Sequence, residues 1–123
     1  MVQRNLVSIV EDDESVRESL PDLLKSHGFE ARPFSSAEAF LASDAPSATG
    51  CLVLDVSMPG MTGPELQLEL ARLGIDVSIV FITAHADDTV EAEVLRRGAA
   101  AFLLKPFTEA AMIQAVRAAL GSG

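Results

Sequence analysis

The sequence predicts a doubly wound α/β domain: five parallel strands in the order 2-1-3-4-5 and five helices, stacked as three layers with the sheet in the middle. Three observations predict it. Four short apolar runs, LVSIV from Leu6, CLVLD from Cys51, SIVFIT from Ser78 and AFLLK from Ala101, suit central strands covered on both faces. Segments with helical spacing of apolar residues lie between them, and right-handed crossovers carry such helices to both faces of a sheet. The chain of 123 residues fits one domain, spanning residues 1–123, and is too short for a closed barrel of eight βα units.

Taken in order, the first strand should end at Val10, and Asp13 caps a helix that presents Val16, Leu20, Leu23 and Leu24 on one face. Lys25 in its last turn and Gly28 beyond it mark the end. FEARPF is the weakest strand, because Pro33 cannot donate to a ladder and belongs at a sheet edge, where the order 2-1-3-4-5 places it. SSAEAFLAS makes a short helix capped by Ser36, and Asp44 to Gly50, DAPSATG, is the loopiest stretch, too short for an interdomain linker.

After the third strand, Thr62 and Glu65 have the spacing of a capping box, with Pro64 in the first turn and Leu66, Leu70 and Leu73 on the apolar face. Arg72 and Gly74 close that helix. Val90, Val94 and Leu95 define the fourth helix, closed by Arg96, Arg97 and Gly98. Thr108 caps the fifth. From Glu109 to Leu120 only Glu109, Gln114 and Arg117 are strongly polar, which fits either a surface for a partner or second copy, or an Ala-rich helix chosen for propensity.

The composition, 49% hydrophobic and 22% charged, belongs to a soluble globular protein. Nine basic against eighteen acidic residues give a net charge of −9, which repels nucleic acid and anionic membranes and favours cations or basic partner surfaces. Cys51, the only cysteine, can form no internal disulfide and reads as a small apolar residue opening a strand. No signal peptide and no apolar run of about 20 residues is present, so a cytoplasmic location is expected.

In open parallel sheets the ligand site lies beyond the carboxyl ends of the strands, where the strand order reverses. The first strand delivers Glu11, Asp12 and Asp13 to that rim, the third Asp55, the fourth Thr83 and the fifth Lys105. Two carboxylates from adjacent strands, about 5 Å apart, repel by roughly 3 kcal/mol at an effective dielectric of about 20, so a cation should sit between them. An oxygen-lined site with room for water suits Mg²⁺. Lys105 and the Thr83 hydroxyl suggest a phosphoryl group as the remaining ligand, and a carboxylate can act as nucleophile to give an acyl phosphate. Singly, each residue has an ordinary explanation: Asp13 a helix cap, Thr83 a turn residue, Lys105 and Glu11 surface charges. None of these accounts for the convergence of four strand ends.

These residues resemble the receiver domains of two-component response regulators over essentially the whole chain. The acidic pair after strand one, LDVSMPGMTG around Asp55, ITA at the end of strand four and KPF after strand five occur in order at compatible spacing. The resemblance implies the flavodoxin-like version of the fold, with Asp55 as phosphoacceptor and a sensor histidine kinase as donor. It implies that Asp12, Asp55 and the backbone carbonyl of Ser57 hold Mg²⁺, with Glu11 acting through water; if Asp12 and Asp13 are the pair instead, only the direct ligand changes. Thr83 and Lys105 would bind the phosphoryl oxygens, and the Lys105 to Pro106 bond would be cis.

The resemblance further implies a switch in which Thr83 is drawn towards the phosphoryl group and Phe102 fills the space it leaves, against the plain alternative of a strand residue in fixed packing. Ser57 and His85 occupy positions that flank the path of the hydrolytic water, so they are candidates for setting the phosphate lifetime; a solvent-facing loop residue is the plain alternative for His85. The output surface would be helix four, strand five and helix five, with homodimerisation there. Such a domain is a signalling phosphoacceptor that catalyses only its own phosphorylation and slow dephosphorylation. The wording SLPDLL, SSAEAFL and DVSMPGMTG resembles receivers joined to LuxR-type helix-turn-helix domains, the nitrogen-fixation regulators among them, so transcription is the expected output. A stand-alone receiver acting through protein contacts is the other form.

Two rivals come from other classes. A Mg²⁺-dependent phosphohydrolase with an aspartyl nucleophile carries a second Asp two residues later as general acid, where this chain has Ser57. A flavin-binding electron carrier needs backbone donors around its phosphate, and EDDES after the first strand has the wrong sign, with no Trp or Tyr to stack on the ring.

Overall fold

The computed structural model describes residues 5–121; Ser122 and Gly123 of the terminal GSG lie outside them, as do the first four residues. Ten elements alternate along the chain. They are β1 (Leu6–Val10), α1 (Glu14–Ser26), β2 (Glu30–Phe34), α2 (Ala37–Ala42), β3 (Thr49–Asp55), α3 (Gly63–Arg72), β4 (Ser78–Thr83), α4 (Asp88–Arg96), β5 (Ala101–Leu104) and α5 (Glu109–Gly121). The five strands pair in parallel in the order β2-β1-β3-β4-β5.

Alternation along the central strands builds one core on each face of the sheet. Cys51 and Val53 of β3 point to the side of α1 and α5, where Leu24, Met112 and Val116 close over them. Leu52 and Leu54 point the other way, beneath Phe40 of α2, Leu66 and Leu70 of α3 and Val94 of α4. Each fully buried Leu or Phe contributes about 1.5–3 kcal/mol of transfer free energy, so both faces hold the sheet rigid beneath its carboxyl rim.

The capping chemistry follows the local sequence. Asp13 accepts from the Ser15 N–H, Ser36 from Ala39 and Thr108 from Ala111, while Thr62 and Glu65 form a reciprocal capping box. Asp87 also caps α4, accepting from Thr89 and Val90, which the apolar spacing of that helix does not reveal. Pro21 lies inside α1 and removes one N–H from its ladder without ending it.

Three details depart from the expectations. β3 begins at Thr49 rather than Cys51, because the Thr49 hydroxyl is fully buried and satisfied, 2.6 Å from Ser8 Oγ and donating to the Ala45 carbonyl. Leu73 and Leu95 stand 48% and 40% exposed, since α3 and α4 have reached their last turns and no longer face the sheet. β5 is an edge strand rather than a central one, so its residues are half-buried and Leu104 is exposed. Cys51 is buried and its thiol is pushed up to about 12 by burial, which makes it inert.

Candidate functional site

The carboxyl ends of β1, β3, β4 and β5 bring the acidic residues, Thr83 and Lys105 to one rim. Val10 pairs with Leu54 and Asp55 with Ile82, so Glu11 and Asp55 leave adjacent strands nearly level. One carboxylate oxygen each of Glu11, Asp12 and Asp55 lies within 4.8 Å of the others. Glu11 is fully buried, Asp55 is 5% exposed and Asp12 is open to water.

Glu11 is therefore neither a surface charge nor free at the rim. Its Oε1 pairs with the Lys105 ammonium and its Oε2 accepts from the Asp13 N–H at 3.1 Å. Asp13 itself turns away to cap α1, its Oδ1 accepting from Ser15 at 2.8 Å, so among the three consecutive acids it is Glu11 and Asp12 that face Asp55. Lys105 Nζ also lies 3.8 Å from Asp55 Oδ2. The Ser57 N–H donates to Asp55 Oδ1 at 3.4 Å, while the Ser57 side chain is exposed.

These distances set the protonation. Burial, followed by the hydrogen bond and negative charge of Glu11, pushes the Asp55 carboxyl up to about 8, against the pull of Lys105 and the Ser57 N–H. Glu11 is held below its ordinary value: burial pushes it up, but hydrogen bonds with Asp55, Lys105 and the Asp13 N–H outweigh that. Lys105 is raised, burial being overcome by Glu11 and by the charge of Asp55. Of the two facing carboxyls, Asp55 is thus the one whose charged form is disfavoured. With Asp55 ionised, three carboxylates and one ammonium leave a local charge of −2.

That charge and donor set fit a divalent cation with hard oxygen ligands, and the exposure of Asp12 leaves room for the waters that Mg²⁺ retains. Glu11, Asp12 and Asp55 each offer one oxygen to such a cation.

Thr83 is 2% exposed, and its hydroxyl engages the loop after β4, donating to the His85 carbonyl at 3.3 Å and accepting from the His85 N–H at 3.2 Å. The His85 side chain is exposed. Phe102, on β5 opposite Phe81, is half-buried and packs against the core beneath α2, α3 and α4. The Lys105–Pro106 peptide bond is cis, and the Lys105 N–H donates to the Thr83 carbonyl at 2.7 Å.

Two residues that build the site have no role that the motifs reveal. Arg17, one turn beyond the α1 cap, donates from Nη1 to the carbonyls of Glu11 at 3.1 Å and Asp12 at 2.7 Å, fixing the acidic segment from behind. Gly63 opens α3 directly beneath Asp55: a Cβ there would fall far inside van der Waals contact of the Asp55 carbonyl oxygen and 3.1 Å from its carbon. Its N–H donates to the Val56 carbonyl at 3.0 Å. Only the preference for small residues at close approaches hints at this in sequence.

Residues 7–117 match the response regulator receiver domain. The chain belongs to that family. This receiver domain is 46% identical over 114 residues to nodulation protein W of Bradyrhizobium diazoefficiens, covering 93% of this chain and 50% of the relative. It is likewise 46% identical over 115 residues to the transcriptional regulatory protein FixJ of Azorhizobium caulinodans, covering 94% and 54%. It thus spans about half the length of these relatives. Among solved structures, it superposes on the crystal structure of FixJ-N with a TM-score of 0.86 at 38% identity, covering 98% of this chain and 96% of that one. The response regulator StyR gives 0.88 at 46% identity, over 95% and 59%. The receiver domain is a signalling module, and no helix among its described residues is long and apolar enough to cross a membrane.

Proposed function

We propose that Asp55 accepts a phosphoryl group from a phosphohistidine of a sensor histidine kinase, and that this receiver is the regulatory part of a longer cytoplasmic transcriptional regulator. One observation carries the reading: Asp55 ends a rigid central strand almost buried, 3.8 Å from the Lys105 ammonium and facing two further carboxylates. An Asp55 oxygen attacks phosphorus as the donor imidazole leaves, giving an acyl phosphate. Bound Mg²⁺ would supply the positive charge that offsets the negative charge of the carboxylates and the incoming phosphoryl group. Asp12, Asp55 and the Ser57 carbonyl would hold it, and Glu11 would keep Lys105 in reach of the product. The test is intact mass after incubation with acetyl phosphate: one phosphoryl adduct with Mg²⁺ and none with EDTA supports the reading, and an adduct indifferent to the metal contradicts it.

Phosphorylation adds charge and acceptor oxygens at Asp55, which draws the Thr83 hydroxyl from the His85 backbone and frees space for Phe102. The surface of α4, β5 and α5 then changes, with Leu95 and Leu104 already 40% and 49% exposed on it for a second copy. The domain turns over no separate substrate. Ser57, two residues beyond Asp55, lacks the carboxylic acid that a phosphohydrolase would use there.

Because Asp55 sits up at about 8 and must be ionised to bind metal, Mg²⁺ binding at pH 7 should release close to one proton. Affinity should then rise about tenfold per pH unit below about 8 and level off above it. Titration calorimetry in buffers of different ionisation enthalpy checks this. Exchanging Ser57 and His85 together for bulkier or charged residues should change the lifetime of the acyl phosphate several-fold. Equal decay rates in the double variant and the wild type would remove both residues from control of hydrolysis.

A further inference from the structure

The loop from Ser57 to Thr62 joins the end of β3 to α3 and carries the Ser57 carbonyl. It is anchored at Met58, which is buried, and at Thr62 by the capping box, with Pro59 and Gly60 exposed between. A further anchor comes from another element. Glu38, in the first turn of α2, accepts the Met61 N–H on Oε2 at 2.9 Å, across 23 residues of sequence. Gly60 makes the approach feasible: its φ is +74°, and a Cβ there would lie 2.7 Å from the same Glu38 oxygen. Glu38 forms no ion pair among the described residues, so its charge is directed at this backbone donor.

The anchor is rigid because α2 is. Ala37 and Phe40 are fully buried, Phe40 meets Phe34 of β2 edge-on at 5.4 Å between ring centres, and Ser36 caps the helix. A charge-assisted bond from a fixed carboxylate to a backbone N–H is stronger and more directional than one to water. Held at Met61 and buried at Met58, the loop has little freedom to rotate the intervening peptides, and the Ser57–Met58 peptide is confined between them and the Ser57 N–H bonded to Asp55.

We propose that Glu38 is a positioning residue of the phosphoacceptor site: its carboxylate holds the β3–α3 loop at Met61 so that the Ser57 carbonyl stays aimed at the metal position. The proposal rests on the phosphoacceptor reading, and it makes α2 part of the site without contact to the reacting atoms. Reach, not charge alone, is what it requires. Glu38→Gln keeps an acceptor oxygen at the same length, Glu38→Asp keeps the charge on a shorter stem, and Glu38→Ala removes both.

The experiment measures Mg²⁺ affinity by titration calorimetry and hydrogen exchange at the Met61 amide, in the wild type and these three variants. Glu38→Ala and Glu38→Asp should weaken Mg²⁺ binding about 5- to 10-fold and speed Met61 exchange, with Glu38→Gln within about twofold of the wild type in both. The proposal is overturned if Met61 exchange rises in Glu38→Ala while Mg²⁺ affinity stays at the wild-type value, or if Glu38→Asp matches the wild type. If the wild type binds no Mg²⁺ at all, the phosphoacceptor reading fails and takes this proposal with it. A metal-binding wild type with indifferent variants overturns only the role of Glu38.

Discussion

Gly63→Ala is expected to destabilise the domain by at least about 3 kcal/mol and to abolish most phosphoryl uptake, although the new methyl group touches no ligand. A Cβ at this position overlaps the Asp55 carbonyl oxygen and presses on the Asp55 carbonyl carbon and the Val56 Cα, each 3.1 Å away. These are backbone atoms at the end of β3, where Asp55 pairs with Ile82 of β4, so no rotamer change relieves the contact. Either α3 withdraws, losing the packing of Leu66 and Leu70 and the capping box at Thr62, or the end of β3 tilts and takes the Asp55 carboxylate with it. Urea unfolding with and without Mg²⁺ checks the prediction. The variant should have a lower midpoint and gain less from the metal than the wild type does.

Lys105→Met should have an effect of similar size through electrostatics. Lys105 is the cation for two carboxylates that are nearly or fully buried, and its removal leaves Glu11 with no positive partner, so that it must either stay ionised unpaired or take up a proton, a loss of about 3 kcal/mol for a buried pair. The pH dependence gives the sign. In the wild type Glu11 lies below its ordinary value, so its contribution is present above the unfolded pKa and lost as pH falls through the folded one. In the variant burial acts unopposed by the lysine, Glu11 is raised, and the protonated form is preferred. The stability gap between the two proteins should be widest near pH 7 and narrow towards pH 4, read from unfolding midpoints; a gap independent of pH would mean that Lys105 contributes packing and not charge. Added Mg²⁺ should narrow the gap as well, because it returns positive charge to the same carboxylates.

Much of this architecture is legible in the sequence, for physical reasons. Strands covered on both faces must be short and apolar, and helices between them must show one apolar stripe, so LVSIV, CLVLD and SIVFIT cannot hide. The helix starts are legible because Asp13, Ser36 and Thr62 satisfy backbone donors within a few residues of themselves. What is not legible depends on distances across the fold. That Thr49 belongs to β3 follows from its pairing with Leu6 of β1 and from the hydrogen bond of its hydroxyl with that of Ser8, 41 residues away.

The site divides in the same way. Its members stand out because carboxylates, a threonine and a lysine each end a strand, but their roles within the cluster do not. In EDD the cap at Asp13 is legible, but not that the fold buries Glu11 beside Lys105 and leaves Asp12 open to water. Arg17, Gly63 and Glu38 act on backbone atoms, and a backbone contact leaves almost no mark on residue type.

Where the phosphoryl group is attached decides whether Asp55 is the acceptor. The wild type and Asp55→Asn would be incubated with acetyl phosphate and Mg²⁺, and intact mass followed by peptide mapping would show whether and where the adduct forms. A single adduct on the peptide containing Asp55, absent from Asp55→Asn, is the predicted result. An adduct that persists in Asp55→Asn, or that maps to Asp12 or Asp13, would show that the buried carboxylate at the end of β3 is not the acceptor.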